Sequence, residues 1–122
     1  MMTLNRFVKS FVDAGRGVAY VFKKEQNFRI QIFATMVVFG LIIILPLKIW
    51  ETIVLILLTV MVLTMELLNT ALEHFTDLFK PRVHPYVGTI KDIMAAAVLI
   101  TALGAVVIGI IIIYPHFIGF IK

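Results

Sequence analysis

The stretch Thr52–Leu72, TIVLILLTVMVLTMELLNTAL, is long and apolar enough to cross a lipid bilayer, yet it contains a glutamate. Glu66 lies two thirds of the way along this span. A carboxylate in hydrocarbon costs several kcal/mol, so ionisable residues inside membrane helices are rare and usually functional. Glu66 is therefore the first candidate for a functional residue in this chain.

Three further polar residues follow Glu66 at helical spacing. Asn69, Glu73 and Asp77 stand three, seven and eleven positions after it. At about 100° per residue, the four side chains fall within roughly 80° of one another on a helix. They form one polar stripe, about 16 Å long at 1.5 Å per residue. The stripe is expected to run from inside the membrane to its surface.

The remainder of the chain fits a small integral membrane protein. Hydrophobic residues make up 61% of the 122 residues, and the mean hydropathy is +1.07. Three transmembrane helices are predicted, at residues 30–47, 52–72 and 93–113, within one domain spanning residues 1–122. The chain has no cysteine, which excludes disulfides and thiolate metal sites.

The N-terminal segment, residues 1–29, is predicted to contain an amphipathic helix lying in the membrane interface. One face of this helix is apolar and consists of Leu4, Phe7, Phe11, Val18, Val21 and Phe22. The opposite face is charged and consists of Arg6, Lys9, Asp13, Arg16 and Lys24. Gly15 and Gly17 weaken the helix in its middle, so a bend is expected there. The predicted fold class is an all-α membrane protein.

The basic residues predict the orientation. Nine of the eleven lysines and arginines lie before the first span or between the second and third spans. By the positive-inside rule this side is cytoplasmic, which places the N-terminus inside the cell and the C-terminus outside. The net charge of +4 is explained by anionic lipid headgroups and requires no nucleic acid partner. The polar stripe then opens toward the cytoplasm.

The loop between the second and third spans is predicted to cover residues 78–90, because Pro81 and Pro85 break helices. Lys91 and Asp92 follow it at the mouth of the third span. Taken alone, Lys91 is a positive-inside anchor and Asp92 is an N-cap for a helix beginning at Ile93.

Two other polar residues have both a structural and a functional interpretation. His84 alone would more often be a hydrogen-bonding loop residue than a ligand. Glu25 falls on the apolar side of the first helix, just before the first span. It is either a helix end, where the helical phase no longer matters, or a second carboxylate directed at the bundle.

Together these residues favour phosphoryl transfer to a lipid alcohol. The chain has neither a Cys/His zinc pattern nor a Walker A or protein-kinase glycine-rich loop. Paired carboxylates suit Mg²⁺, which prefers oxygen ligands and usually binds together with phosphate. Depth along the stripe predicts the roles: Glu66 would meet the lipid hydroxyl, and Glu73 the metal. The nucleotide side would be formed by Asp77, Lys91 and Asp92.

Four segments also resemble a known family. ELLNTALEHFTD at Glu66–Asp77 and the segment from His84 to Lys91-Asp92, followed by an Ala-rich span, look like the signature of bacterial diacylglycerol kinases and undecaprenol kinases. RFVKSFVDAGRG at Arg6–Gly17 and EQNFR at Glu25–Arg29 are similar to the Gram-positive undecaprenol kinase branch of that family. The resemblance covers nearly the whole chain.

The resemblance implies a homotrimer of three-span subunits, with active sites shared between neighbouring chains. It implies ATP with Mg²⁺ as phosphoryl donor, Glu66 as the catalytic base that meets the lipid substrate, and Glu25 with Glu73 as metal ligands. The residues that it places at the nucleotide or active centre are Arg6, Glu25, Asn69, Glu73, Asp77, His84, Lys91 and Asp92.

Departures from the family pattern bear on the acceptor. Gram-negative diacylglycerol kinases carry a glutamate where this chain has Gln31, a tryptophan near Phe22, and Gly-Ser where this chain has Met94-Ala95. The departures favour undecaprenol as acceptor, converted to undecaprenyl phosphate, and leave a diacylglycerol kinase as the alternative.

A second alternative is a proton-coupled transporter subunit that uses Glu66 as a carrier site. It fits the sequence less well, because nothing polar lines the outer half of the predicted spans and a transporter needs access from both faces.

Overall fold

A computed structural model describes residues 3–79 and 85–122 and contains four helices within those ranges, without strands. They are α1 (Leu4–Lys24), α2 (Gln26–Ile44), α3 (Ile49–Asp77) and α4 (Pro85–Ile121). Helices α2, α3 and α4 are each long and apolar enough to cross a membrane. The predicted fold class, an N-terminal helix followed by three membrane-spanning helices, is confirmed.

Most large apolar side chains of the spanning helices point away from the protein. Phe33, Met36 and Ile43 of α2, for example, are 69%, 67% and 85% exposed. This is the arrangement that a bilayer requires, because lipid solvates apolar side chains while backbone hydrogen bonds are satisfied within each helix. The interior is small, and Phe28 and Leu55 are its most deeply buried apolar residues.

Helix α1 is continuous from Leu4 to Lys24. The Thr3 side chain accepts a hydrogen bond from the backbone N–H of Arg6 and caps the first turn. The helix runs through Gly15 and Gly17 without interruption. The glycines therefore do not break the helix, although they lower its intrinsic propensity.

The chain changes direction at Glu25, between α1 and α2. Glu25 has an extended backbone, with φ −112° and ψ 113°. The guanidinium of Arg29 donates hydrogen bonds to the carbonyls of Phe22 (2.8 Å) and Lys23 (3.1 Å), which satisfies the end of α1. The first spanning helix therefore begins at Gln26, four residues before the predicted start at residue 30.

The connection between α2 and α3 is set by Pro46. Leu45, the residue before this proline, is extended, and α2 ends at Ile44 rather than at the predicted residue 47. Helix α3 then begins at Ile49, earlier than the predicted residue 52. Its first turn is stabilised by the Glu51 carboxylate, which accepts a hydrogen bond from the backbone N–H of Lys48 at 2.8 Å.

The predicted loop over residues 78–90 is wrong in its second half. Helix α4 already begins at Pro85. Proline is tolerated at this position because the N–H that it lacks would have no hydrogen-bond partner in the first helical turn. Asp92 consequently lies inside α4, and the prediction that it caps a helix at Ile93 is wrong. Pro115 is accommodated within the same helix near its end.

Helices α3 and α4 are paired at both ends. At one end, Nζ of Lys91 lies 2.9 Å from Oδ1 of Asp77. At the other, Nε2 of His116 lies 3.0 Å from Oε1 of Glu51. We call these the site end and the far end of the bundle. The far end therefore carries a polar pair that lies just beyond the predicted spans.

Candidate functional site

Glu66 is buried in the protein rather than turned toward lipid. It is 2% exposed, and Thr70, one turn later, is 3% exposed. The Thr70 hydroxyl donates a hydrogen bond to the Glu66 carbonyl at 3.1 Å, so that this hydroxyl is satisfied within the helix. The face of α3 that carries the polar stripe therefore points into the bundle at this depth.

Gln31 of α2 is the hydrogen-bond partner of the Glu66 carboxylate. Its Nε2 donates to Oε2 of Glu66 across 3.4 Å, a long hydrogen bond. In the sequence, Gln31 was notable only as a departure from the glutamate of Gram-negative relatives. The structure instead places it in direct contact with the residue predicted to be the base.

Asn69 and Glu73 form the next level of the stripe. Nδ2 of Asn69 donates to Oε1 of Glu73 at 3.1 Å. The amide oxygens of Asn69 and Gln31 are both buried and have no hydrogen-bond partner among the described residues. Buried polar atoms are normally satisfied, so these two amide oxygens are the atoms that a bound cation, a water or a hydrogen-bond donor would contact here.

Glu25 belongs to the same group of acidic residues. It is half-buried at the junction of α1 and α2, and both Glu25 and Glu73 interact electrostatically with Glu66. Of its two sequence interpretations, the carboxylate directed at the bundle agrees with this position. The turn at Glu25 thus adds a carboxylate from outside the stripe to the residues around Glu66.

These donors suit Mg²⁺ in chemistry, although they form no complete protein site. Within residues 3–79 and 85–122, no group of three or more His, Cys, Asp or Glu side chains could hold a metal ion. Mg²⁺ is usually bound through one or two carboxylates, with the remaining ligands from water and phosphate oxygens. Two glutamates and an unsatisfied amide oxygen fit that requirement.

His74 links α3 to the N-terminal helix. Its Nδ1 lies 2.9 Å from the carbonyl oxygen of Thr70, and its Nε2 lies 2.8 Å from the Tyr20 hydroxyl. Because a carbonyl can only accept, Nδ1 carries the proton and Nε2 accepts from Tyr20. This contact attaches α1 to the helix that carries the polar stripe.

The structure brings together some of the predicted nucleotide residues but not all of them. Asp77 and Lys91 are brought together across α3 and α4, and the exposed Asp92 follows Lys91 at the same end. Arg6, by contrast, is near the opposite end of α1 from Glu25, about 28 Å away along the helix at 1.5 Å per residue. His84 lies outside the described residues.

Several contacts were not predicted from the sequence. For Thr70 the sequence contains one weak indication, because this residue stands four positions after Glu66 and so lies on the same helical face. The Tyr20–His74 and Glu51–His116 pairs join residues 54 and 65 positions apart, and no local pattern indicates them.

The sequence of this chain is similar to those of known proteins. A family model described as prokaryotic diacylglycerol kinase matches residues 13–113, a range that leaves Arg6 outside. The chain is 39% identical over 112 residues to the undecaprenol kinase of Bacillus subtilis (strain 168), covering 92% of this chain and 91% of that protein. It is 40% identical over 101 residues to the diacylglycerol kinase of Synechocystis sp., covering 82% of this chain but 58% of that protein.

Proposed function

Since the chain belongs to the prokaryotic diacylglycerol kinase family and is a lipid kinase of the membrane, we propose that it phosphorylates undecaprenol to undecaprenyl phosphate with ATP. The observation that carries this proposal is the burial of Glu66 within α3 at the level of the membrane. A water-soluble alcohol would not partition to that depth, whereas a lipid presents its hydroxyl there. The transporter alternative is set aside, because the relatives are named as kinases.

In the proposed reaction, Glu66 is the general base. The acceptor hydroxyl oxygen forms a bond to the γ-phosphorus of ATP while the bond from that phosphorus to the ADP oxygen breaks. The hydroxyl proton passes to the Glu66 carboxylate. Gln31 contributes by donating its hydrogen bond to one carboxylate oxygen, which fixes the orientation of the base.

We assign Glu25 and Glu73 as the residues that hold Mg²⁺. Asn69 supports this role, since its amide donates to Glu73 and orients that carboxylate. The bound cation would neutralise charge developing on the transferred phosphoryl group. Glu25 and Glu73 interact electrostatically with Glu66, so the metal and the base would act at neighbouring positions.

The nucleotide is proposed to bind at the site end of α3 and α4. Lys91, held by Asp77, provides a cation for phosphate oxygens, and Asp92 lies beside it. Arg6 and His84 are assigned to the same nucleotide site. We also propose a homotrimer with sites shared between neighbouring chains, which rests on the resemblance to the family.

The choice of undecaprenol over diacylglycerol rests on the relatives. The similarity to the Bacillus undecaprenol kinase extends over nearly the full length of both proteins, whereas the Synechocystis diacylglycerol kinase is matched over 58% of its length. Diacylglycerol remains the second candidate acceptor, because that relative is 40% identical in the matched region.

The test is to incubate the purified protein with labelled ATP and either lipid in mixed micelles. We expect phosphate transfer to both lipids, with the higher kcat/KM for undecaprenol, and none in the Glu66→Gln variant. A higher kcat/KM for diacylglycerol would reverse the acceptor preference and leave the kinase assignment intact. Absence of transfer to either lipid would contradict both.

A further inference from the structure

Glu51 is a buried carboxylate that the proposed reaction does not use. It lies at the far end of α3, and both of its oxygens are within hydrogen-bond distance of Nε2 of His116 on α4, at 3.0 and 3.1 Å. Because an ionised carboxylate only accepts, Nε2 carries the proton and donates. The pair therefore joins α3 to α4 through side chains that have no part in the proposed chemistry.

The polar pairs at the two ends of the bundle are separated by nearly the same distance on both helices. Glu51 and Asp77 are 26 positions apart in α3. Lys91 and His116 are 25 positions apart in α4. At 1.5 Å per residue, these separations are about 39 Å and about 38 Å. Two antiparallel helices can form both pairs at once in one register only, since a slip of one turn moves the partners by about 5.4 Å at each end.

The burial of apolar residues agrees with this register. Leu55 lies four positions after Glu51 in α3, and Ile112 lies four positions before His116 in α4, so the two are at the same level. Both are buried, and among the residues that the structure describes they are the buried apolar side chains of these two helices. The most closely packed level of α3 and α4 thus lies about one turn from the polar pair.

The middle of α4 offers little that could set its register. Between Ile93 and Ile113 its one polar side chain is Thr101, and the Thr101 hydroxyl donates to the carbonyl of Ala97 in the same helix at 2.8 Å. Apolar surfaces of membrane helices have no hydrophobic driving force for association, because lipid is as apolar as the partner helix. Polar contacts near the helix ends therefore have a large share in fixing how far α4 slides along α3.

Of the two end pairs, the far one is better suited to hold the register. At the site end, the Asp77 side chain is 50% exposed, and ion pairs in contact with water contribute little. At the far end, the Glu51 side chain is 10% exposed and also accepts from the backbone N–H of Lys48 at 2.8 Å. Fixing the register of packed helices is the best-attested role of a buried polar pair.

We propose that His116 is a positioning residue for the nucleotide site. By binding Glu51 it fixes the register of α4 along α3, and this register holds Lys91 beside Asp77. The inference rests on the proposed function, in which Lys91 provides a cation for the phosphates of ATP. His116 itself touches neither substrate, because it lies about 38 Å from Lys91 along α4. It acts only through the helix that carries both residues.

The kinetic test compares two variants of His116. His116→Leu loses the donor, and we expect it to raise KM for ATP about threefold to tenfold and to leave kcat within twofold, because the base is untouched. His116→Gln keeps an N–H at a similar reach and should stay within twofold of wild type in both constants. Glu51→Gln, which keeps an acceptor for Nε2, should behave in the same way. Equal KM values for ATP in His116→Leu and His116→Gln would overturn the proposal, as would a fall in kcat alone.

Thiol crosslinking measures the register without turnover. Val62 of α3 lies level with Ala105 of α4, eleven positions from Glu51 and His116 respectively, and both line one apolar cavity between the helices. Because the chain has no cysteine, Val62→Cys can be paired with Ala105→Cys or with a cysteine about one turn away, at position 102 or 109. A short bifunctional reagent should favour the level pair in wild type and in His116→Gln. In His116→Leu the offset pairs should gain at least twofold relative to the level pair, and an unchanged ratio would overturn the proposal.

Lys91→Ala separates this inference from the proposed function. If Lys91 contacts the phosphates of ATP, its loss should raise KM for ATP at least as much as His116→Leu does. An unchanged KM in Lys91→Ala would contradict the nucleotide role of Lys91 and, with it, the positioning role of His116. A raised KM in Lys91→Ala beside an unchanged KM in His116→Leu would overturn the positioning role alone.

Discussion

Tyr20 of α1 donates a hydrogen bond to Nε2 of His74 on α3, with 2.8 Å between the two atoms. The rings also meet edge to face, with centroids 5.6 Å apart. His74 directly follows Glu73, so the contact fixes the N-terminal helix beside the proposed metal ligand. The Tyr20–His74 pair therefore helps to hold α1 beside α3, through residues 54 positions apart.

Removing the Tyr20 hydroxyl should loosen α1. Tyr20→Phe keeps the ring contact and loses a hydrogen bond whose net contribution is about 0.5–1.5 kcal/mol. Because the chain has no cysteine, spin labels on Lys9→Cys and Phe75→Cys can report the distance between α1 and α3. We expect a broader distance distribution in Tyr20→Phe and no change in Tyr114→Phe. An unchanged distribution in both would show that the contact does not hold α1.

Replacing Glu66 by glutamine should abolish phosphoryl transfer and preserve the fold. The amide has nearly the same shape and still offers an oxygen to Gln31, but it is too weak a base to take the hydroxyl proton. Loss of a general base costs about 10²–10⁴-fold in rate. Glu51→Gln, at the far end of the same helix, is the control and should remain within threefold of wild type. Comparable activity in the two variants would exclude Glu66 as the base.

The proposed metal ligands can be tested by a double-mutant cycle. Glu25→Ala and Glu73→Ala should each raise the Mg²⁺ concentration required for half-maximal activity, and the double variant should lose much less than the two single losses combined. Residues that hold one ion are non-additive, since either loss already impairs binding. Asp13→Ala removes an exposed carboxylate of α1 and serves as control. Strictly additive losses would assign the glutamates to separate functions.

The orientation can be measured with single cysteines. A membrane-impermeant thiol reagent applied to intact cells should fail to label Leu78→Cys and should label a cysteine added after Lys122. The reason is the excess of basic residues on the side of the N-terminus and of the connection between α3 and α4. Labelling of Leu78→Cys from outside would place the proposed nucleotide residues away from cytoplasmic ATP.

The membrane helices and the polar stripe could be predicted because both follow from local patterns. A run of apolar residues as long as the bilayer is thick becomes a helix whatever surrounds it. The spacing of Glu66, Asn69 and Glu73 also determines that they share a face. Hydropathy says less about where a helix ends. Helix α4 includes the helix-breaking residue Pro85 and the charged residue Asp92. Both suit the first turns of a helix that projects from the membrane.

The partners of the site residues could not be predicted, because they come from other helices. Gln31 contacts Glu66 across 35 positions, and its role depends on how α2 packs against α3. The electrostatic interaction of Glu25 with Glu66 depends on the turn of the chain at Glu25, where Arg29 caps α1. The pattern of a single helix does not contain this information.

Because Glu66 lies deep in α3, the concentration that governs the rate is defined differently for the lipid and for ATP. If Glu66 is the base, as proposed, it encounters the lipid acceptor by lateral diffusion, so the relevant quantity is the mole fraction of acceptor among the surrounding lipids. Diluting a fixed amount of acceptor with inert lipid should slow the reaction, although the aqueous phase and the total acceptor stay the same. ATP, which arrives from water, follows ordinary bulk concentration. The rate therefore depends on the surface concentration of one substrate, the lipid, and on the bulk concentration of the other, ATP.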